Sequence, residues 1–215
     1  MTRGLIFDLD GTLVDSLPGI AASLNRALAT LDRSPYPVAK VRSFVGDGSR
    51  VLCQRALGGV GNEAEIDALE ATFKADYART WREGTTVFPG ISELLADLAA
   101  AGHFLAVLSN KPHPFTEEIV ALLFPNVPFA RVLGQHAGLA CKPDPAGALE
   151  IVAGSNLPTE AFIVIGDSTM DLETARRANM RSIAVTWGYQ DAHVLTGANG
   201  VAKDVAELAR ILRDG

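Results

Sequence analysis

An α/β protein built on a parallel sheet, with an all-helical insert after the first strand, is the fold this sequence predicts. Two observations carry that expectation. Apolar runs at residues 5–7, 104–108, 162–165 and 182–186 alternate with helical stripes. Runs apolar at nearly every position are the signature of strands buried on both faces, hence of a parallel sheet covered by helices. The alternation is interrupted once, because residues 16–82 carry only helical patterns.

The elements follow in order. The first strand stops at Asp8-Leu9-Asp10-Gly11-Thr12, where Gly11 marks a tight turn. Ser16 and Pro18 open a helix over 18–31, with Ile20, Leu24, Ala27, Leu28 and Leu31 along one stripe. Pro35 and Pro37 break it, and 38–44 reads as a short helix. Gly46-Asp47-Gly48-Ser49 opens another, holding Val51, Leu52, Arg55 and Ala56. Gly58-Gly59-Val60-Gly61 reads as a flexible turn before Ile66, Leu69, Phe73, Tyr77 and Trp81 at helical spacing. Beyond Phe88, Pro89-Gly90 precedes a helix (Ile91, Leu94, Leu95, Leu98) closed by Gly102. The strand at 104–108 ends in Ser109-Asn110-Lys111. A helix over 116–123, a strand near 131–133 and a helix after Pro145 come next. The strand at 162–165, a helix over 170–178, the strand at 182–186 and an amphipathic helix over 205–212 complete the chain. Residues 1–15 and 83–215 therefore form the α/β core and 16–82 the helical insert, with 13–15 and 83–87 as hinges.

Composition narrows the function. At 215 residues and 48% hydrophobic content, the chain buries one good core and a second small one. It holds no apolar run of about 18 residues, so no membrane span is expected. Met1-Thr2-Arg3-Gly4 leads straight into the first strand, leaving no room for a signal peptide. Cys53 and Cys141 are unpatterned and read as reduced thiols of a cytoplasmic protein, a monomer or homodimer. A net charge of -6 without any basic run argues against nucleic acid or anionic membrane as partners. A small anionic substrate stays open, because a metal and one or two cations reverse the potential locally. His103, His113, His136 and His193 share no ligand spacing and read as surface or loop residues.

The chemistry sits at strand ends, where ligands of open α/β sheets bind. Burying Asp8 and Asp10 two residues apart costs several kcal/mol unless a cation shares the site. A divalent metal resolves this, with one aspartate free to attack and the other to move a proton. Solvated turn acids or a calcium loop are the alternatives, but a loop of the EF-hand kind needs glycine at its sixth position and glutamate at its twelfth. Ser109-Asn110 offers a hydroxyl and backbone N–H groups for phosphate oxygens, although it is also a common turn pair. Lys142-Pro143-Asp144-Pro145 restrains a lysine able to neutralise a carboxylate and a phosphoryl group; a surface turn is the alternative. In Gly166-Asp167-Ser168-Thr169-Met170-Asp171, Asp167 reads as a metal ligand or a helix cap, and Asp171 as its support one turn later. Arg42 and Arg50, beside Gly46 and Gly48, are candidates for a substrate carboxylate or simply solvated helix residues.

These motifs resemble the haloacid dehalogenase superfamily of phosphatases. Asp8-x-Asp10-Gly11-Thr12 looks like its first motif, Ser109 its second, Lys142 its third, and Gly166-Asp167-Ser168 through Asp171 its fourth. The resemblance implies a Rossmann-like core and makes the helical insert a small cap domain. It implies that Asp8 forms an aspartyl-phosphate, while Asp10 protonates the leaving alcohol and then activates water. It puts Mg2+ on Asp8, the Asp10 carbonyl and Asp167, phosphate on Ser109, the Asn110 backbone and Lys142, and Thr12 and Asp171 behind them. Phe44-Val45-Gly46-Asp47-Gly48-Ser49, Ser109-Asn110-Lys111-Pro112 and Gly188-Tyr189 are similar to phosphoglycolate phosphatases. A sugar phosphate mutase of the phosphoglucomutase type and a pyrophosphatase are the alternatives within the superfamily. An aspartyl-phosphate signalling or binding module is the rival from another class.

Overall fold

The structure, a computed structural model, describes residues 2–59 and 62–214. Val60 and Gly61 of the expected flexible turn lie outside the described residues. The chain begins with β1 (Gly4–Phe7), which is followed by the short β2 (Val14–Asp15). Helices α1 (Leu17–Ala29), α2 (Val38–Arg42), α3 (Ser49–Ala56) and α4 (Glu63–Thr80) come next, and then β3 (Thr86–Val87). The remainder alternates: α5 (Ile91–Ala100), β4 (Phe104–Pro112), α6 (His113–Leu123), β5 (Arg131–Gln135), α7 (Ala146–Ala153) and β6 (Phe162–Gly166). It closes with α8 (Thr169–Arg177), β7 (Arg181–Val185), β8 (Gly200–Ala202) and α9 (Val205–Asp214).

Six strands form one parallel sheet in the order β5-β4-β1-β6-β7-β8. β1 is central, with both its edges paired, to β4 and β6, and helices cover both its faces. Side chains alternate across a strand. Ile6 accordingly packs with Ala106, Val164 and Met180 on the face covered by Ala148 and Ile151 of α7 and Ala175 of α8. Leu5 and Phe7 pack on the other, with Leu95 of α5 and Leu208 of α9. All three are fully buried. Each such side chain contributes about 1.5–3 kcal/mol, enough together to anchor the strand that carries two acids at its end.

One difference from the sequence expectation, and one alternative it left open, matter for the site. β4 does not stop at Leu108; its register with β5 shifts between Leu108 and Pro112, so Ser109, Asn110 and Lys111 lie on an irregular stretch of strand rather than a turn. The N-cap of α8 is Ser168, in a reciprocal capping box with Asp171, so Asp167 is not spent as a cap.

The helical segment joins the sheet through two short crossings. β2 and β3 lie in those crossings and pair antiparallel, Val14 with Val87 and Asp15 with Thr86. Beside them Gly19 of α1 meets Gly84 backbone to backbone, and a Cβ on Gly84 would sit 2.4 Å from the Gly19 nitrogen. α4 starts at an Asn62–Glu65 capping box and buries Ile66, Leu69, Phe73 and Tyr77 against its neighbours.

Candidate active site

The carboxyl ends of β1, β4 and β6 and the loop after β5 converge on one cleft. Asp8, Asp10, Ser109, Asn110, Lys111, Asp167 and Ser168 line it, with Ile20, Val45, Leu52, Phe73 and Tyr77 from the helical segment opposite. Lys142 lies beneath this lining and is buried, with its Nζ 2.8 Å from Asp8 Oδ1 and 2.6 Å from Asp171 Oδ1. The Lys142–Pro143 bond is cis. Among the described residues no histidine lines the cleft.

Close backbone approach holds Asp167 in place. Gly11 has φ of +86°, and a Cβ there would fall 2.3 Å from Asp167 Oδ2. A Cβ on Gly188 would fall 2.3 Å from Asp167 Cβ. Thr12 Oγ1 donates to Asp167 Oδ1 at 3.2 Å, and the Tyr189 N–H to its Oδ2 at 2.6 Å. Asp171 is fully engaged: its Oδ1 accepts from Lys142, and its Oδ2 from the Ser168 N–H at 3.1 Å and hydroxyl at 2.5 Å. It therefore steers Lys142 toward Asp8.

The electrostatics follow from burial. Desolvation raises the Asp8 carboxyl from 3.8 to about 7, against the lowering effect of Lys142. Burial, then the neighbouring Asp8 and Asp171, raise Asp167 to about 8. Burial alone would lower the Lys142 ammonium, but Asp171 and Asp8 outweigh it and hold it above the ordinary lysine range. The pocket thus penalises negative charge on Asp8 and Asp167 more than its one adjacent lysine relieves. Oxygens of Asp8, Asp167 and Asp171 lie within 4.8 Å of one another. A hard divalent cation fits this donor set, and since Asp171 is engaged, Asp8 and Asp167 are the carboxylates that could hold it.

Asp10 has a different partner. Lys111 Nζ donates to its two oxygens at 2.9 and 3.1 Å, and the Ser16 hydroxyl donates to Oδ1 at 2.5 Å. The Lys111 side chain is only 5% exposed and lies over the Tyr77 ring, 4.6 Å from its centroid. Asn110 binds through its side chain, taking the Lys142 N–H at 2.7 Å and donating to the carbonyls of Lys142 at 3.0 Å and Gly46 at 3.1 Å. It links the α3 approach loop to the Lys142 loop.

The two arginines lie elsewhere. Arg50 faces α4, paired with Glu63, Asp67 and Glu70, and does not line the cleft. Arg42 donates to the carbonyls of Tyr189 at 2.5 Å and Gly188 at 3.0 Å. Sequence reasoning passed over Lys111 and Tyr189 as site residues. The Tyr189 hydroxyl accepts the N–H groups of Ser16 at 2.8 Å and Leu17 at 3.0 Å, so one residue supports Asp167 and the start of α1. The available signal was the Ser109-Asn110-Lys111-Pro112 run, whose lysine follows the strand end by only a few residues.

Known proteins share this architecture. The family model of haloacid dehalogenase-like hydrolases matches residues 5–185. A phosphoglycolate phosphatase of Psychrobacter arcticus is 37% identical over 192 residues, covering 86% of this chain and 84% of that protein. One from Rhodospirillum rubrum is 36% identical over 216 residues, covering 97% and 90%. The crystal structure of a candidate phosphoglycolate phosphatase from Lactobacillus delbrueckii subsp. bulgaricus matches with a TM-score of 0.93 at 30% identity, over 99% of each chain. With the parallel sheet and its acid cluster already in view, these matches establish that the chain belongs to the haloacid dehalogenase-like hydrolases and is a phosphatase, a hydrolase of phosphate esters.

Proposed function

We propose that this phosphatase hydrolyses small acidic phosphate monoesters through an aspartyl-phosphate on Asp8, with Mg2+ as cofactor and 2-phosphoglycolate as the first substrate to test. The observation that carries the reading is Asp8 itself, buried at the end of β1, with Lys142 at 2.8 Å and facing a cleft it shares with Asp10 and Asp167. The names of the relatives support the substrate.

Phosphate monoesters need acceleration of up to about 10²¹-fold, and the main obstacle is the meeting of two anions. Lys142 neutralises part of that charge at the attacking oxygen, with Ser109 and the Asn110 backbone at the phosphate oxygens. Magnesium, held by Asp8, Asp167 and the Asp10 carbonyl, would supply the remaining positive charge. An Asp8 oxygen attacks phosphorus, and the bond to the ester oxygen breaks. Asp10 gives its proton to the departing alkoxide, leaving alcohol and the Asp8 acyl phosphate. Asp10 then takes a proton from water as that water attacks phosphorus; the bond to Asp8 breaks and inorganic phosphate leaves. Asp10 is worth about 10²- to 10⁴-fold in this role.

Residues 16–82 act as the cap, selecting the leaving group and excluding water, with the β2–β3 ribbon at its hinge. The enzyme works in the cytoplasm as a monomer or homodimer, without nucleic acid or membrane. Among the described residues no helix is long and apolar enough to cross a membrane.

The test is a panel of 2-phosphoglycolate, sugar phosphates, pyrophosphate and an aryl phosphate, run in Mg2+ and in excess EDTA. Release of phosphate fastest from 2-phosphoglycolate and abolished by EDTA is expected. Isomerisation of a sugar phosphate without phosphate release, or labelling without turnover, would overturn the reading.

A further inference from the structure

The helical side of the cleft is apolar, lined by Ile20, Val45, Leu52 and Phe73, with Phe115 of α6 beside them. Two polar groups break that surface. Lys111 is the only cationic side chain lining the cleft among the described residues. An ammonium has three N–H donors, and Asp10 engages it at 2.9 and 3.1 Å, leaving donor capacity for a ligand. The second is the Tyr77 hydroxyl, buried beside the Lys111 ammonium and with no acceptor for its own O–H among the described residues. Its ring is fixed between Phe73, stacked at 5.6 Å, and Phe115, edge-on at 5.5 Å. A buried hydroxyl in this setting is disfavoured until a ligand supplies an acceptor.

We infer that Lys111 and Tyr77 together form the subsite that reads a carboxylate on the leaving group. The inference rests on the phosphatase reading above and names the residues behind its preference for acidic esters. Lys111 touches Asp10, the residue that meets the ester oxygen, so the acid it reads lies close to that oxygen. A two- or three-carbon hydroxy acid esterified to phosphate has that reach. The apolar surroundings strengthen the attraction and make a neutral leaving group a poorer match. Arg50 contributes nothing here, because α4 carboxylates engage it.

The experiment compares 2-phosphoglycolate with ethyl phosphate, which keeps the two-carbon skeleton and lacks the acid. Wild type should show a higher kcat/KM on 2-phosphoglycolate. Lys111→Met, which also strips Asp10 of its ion-pair partner, should lower kcat on both esters and in addition cut that preference about tenfold or more, whereas Tyr77→Phe should cut it about three- to tenfold, mainly through KM, as expected for lost hydrogen bonds to a charged group. Lys111→Arg should fall between wild type and Lys111→Met. Tyr77→Phe keeps the ring and its packing, so it tests the inference even if Lys111→Met fails to fold. Equal losses on both esters, or a wild type without preference for the acid, would overturn the subsite. A wild type inactive on both esters in Mg2+ would instead overturn the functional reading.

Discussion

The Arg42 guanidinium donates to the Tyr189 carbonyl, and the Tyr189 N–H in turn donates to Asp167, so a residue of the helical segment bears on an acid of the cleft. The Arg42 side chain is 41% exposed, which places each of its bonds at the weaker end for a charged donor. Arg42→Ala should lower kcat/KM about three- to tenfold. The loss should be equal for 2-phosphoglycolate and ethyl phosphate, since closure rather than charge reading is affected. Steady-state kinetics on both esters check this; a loss confined to the acidic ester would return Arg42 to the substrate-reading role its sequence position suggested.

Gly188→Ala isolates the close approach to Asp167. Gly188 is not at positive φ, so its backbone accepts alanine, but the new Cβ would fall 2.3–2.4 Å from Cβ, Cγ and Oδ2 of the buried Asp167, so that residue as a whole must shift, and circular dichroism must show that the fold persists. Displacing that carboxylate should weaken Mg2+ about 10- to 100-fold, the range found for residues that support metal ligands. The magnesium dependence of the rate and calorimetric titration would both register it. Unchanged affinity would mean that Asp167 moves aside freely or does not hold the ion.

Asp8→Asn should abolish turnover, by about 10³-fold or more, while the fold persists. Lys142 keeps Asp171 at 2.6 Å, so the variant does not strand a buried ammonium. Circular dichroism and a phosphate-release assay separate the two outcomes. Substantial residual activity would remove Asp8 as the nucleophile.

The metal-free protein should become less stable as pH rises from about 4 to 8. Asp8 and Asp167 bind protons more tightly folded than unfolded, with values raised from 3.8 to about 7 and about 8. Between those limits the native state carries the extra protons, and its advantage, full at acid pH, is lost as pH rises through the folded values. Magnesium held as proposed above would stabilise the ionised carboxylates and should reverse the trend, with its largest gain in melting temperature near pH 8. Melting curves in EDTA and in Mg2+ across this range provide the check. An apo protein whose stability rises steadily to pH 8 would contradict the burial argument.

Strand ends were legible because a fully buried parallel strand is a short apolar run, and whatever polar residue follows it must face the sheet edge. Asp8, Ser109 and Asp167 each follow such a run, and all three meet in the cleft. Partnerships across long separations were not legible. Arg50 looked free beside Gly48, yet its partners Glu63 and Asp67 arrive only when α4 packs against α3. Lys111 was given no role of its own because the strand was expected to end at Leu108, whereas the irregular stretch of β4 turns it onto Asp10. β2, β3 and β8 were too short, at two or three residues each, to leave a periodic signal.

The pairing of Asp15 with Thr86 carries an engineering consequence. The strand path that leaves the sheet and the one that returns lie side by side, so excising everything between them would leave a gap that a tight turn can bridge. Closing so short a loop has little entropic penalty. The chain can therefore be cut and rejoined at this junction, although the helical segment shares one continuous apolar core with the sheet, so exchanging it for a relative's segment would test whether residues 16–82 set the leaving-group preference.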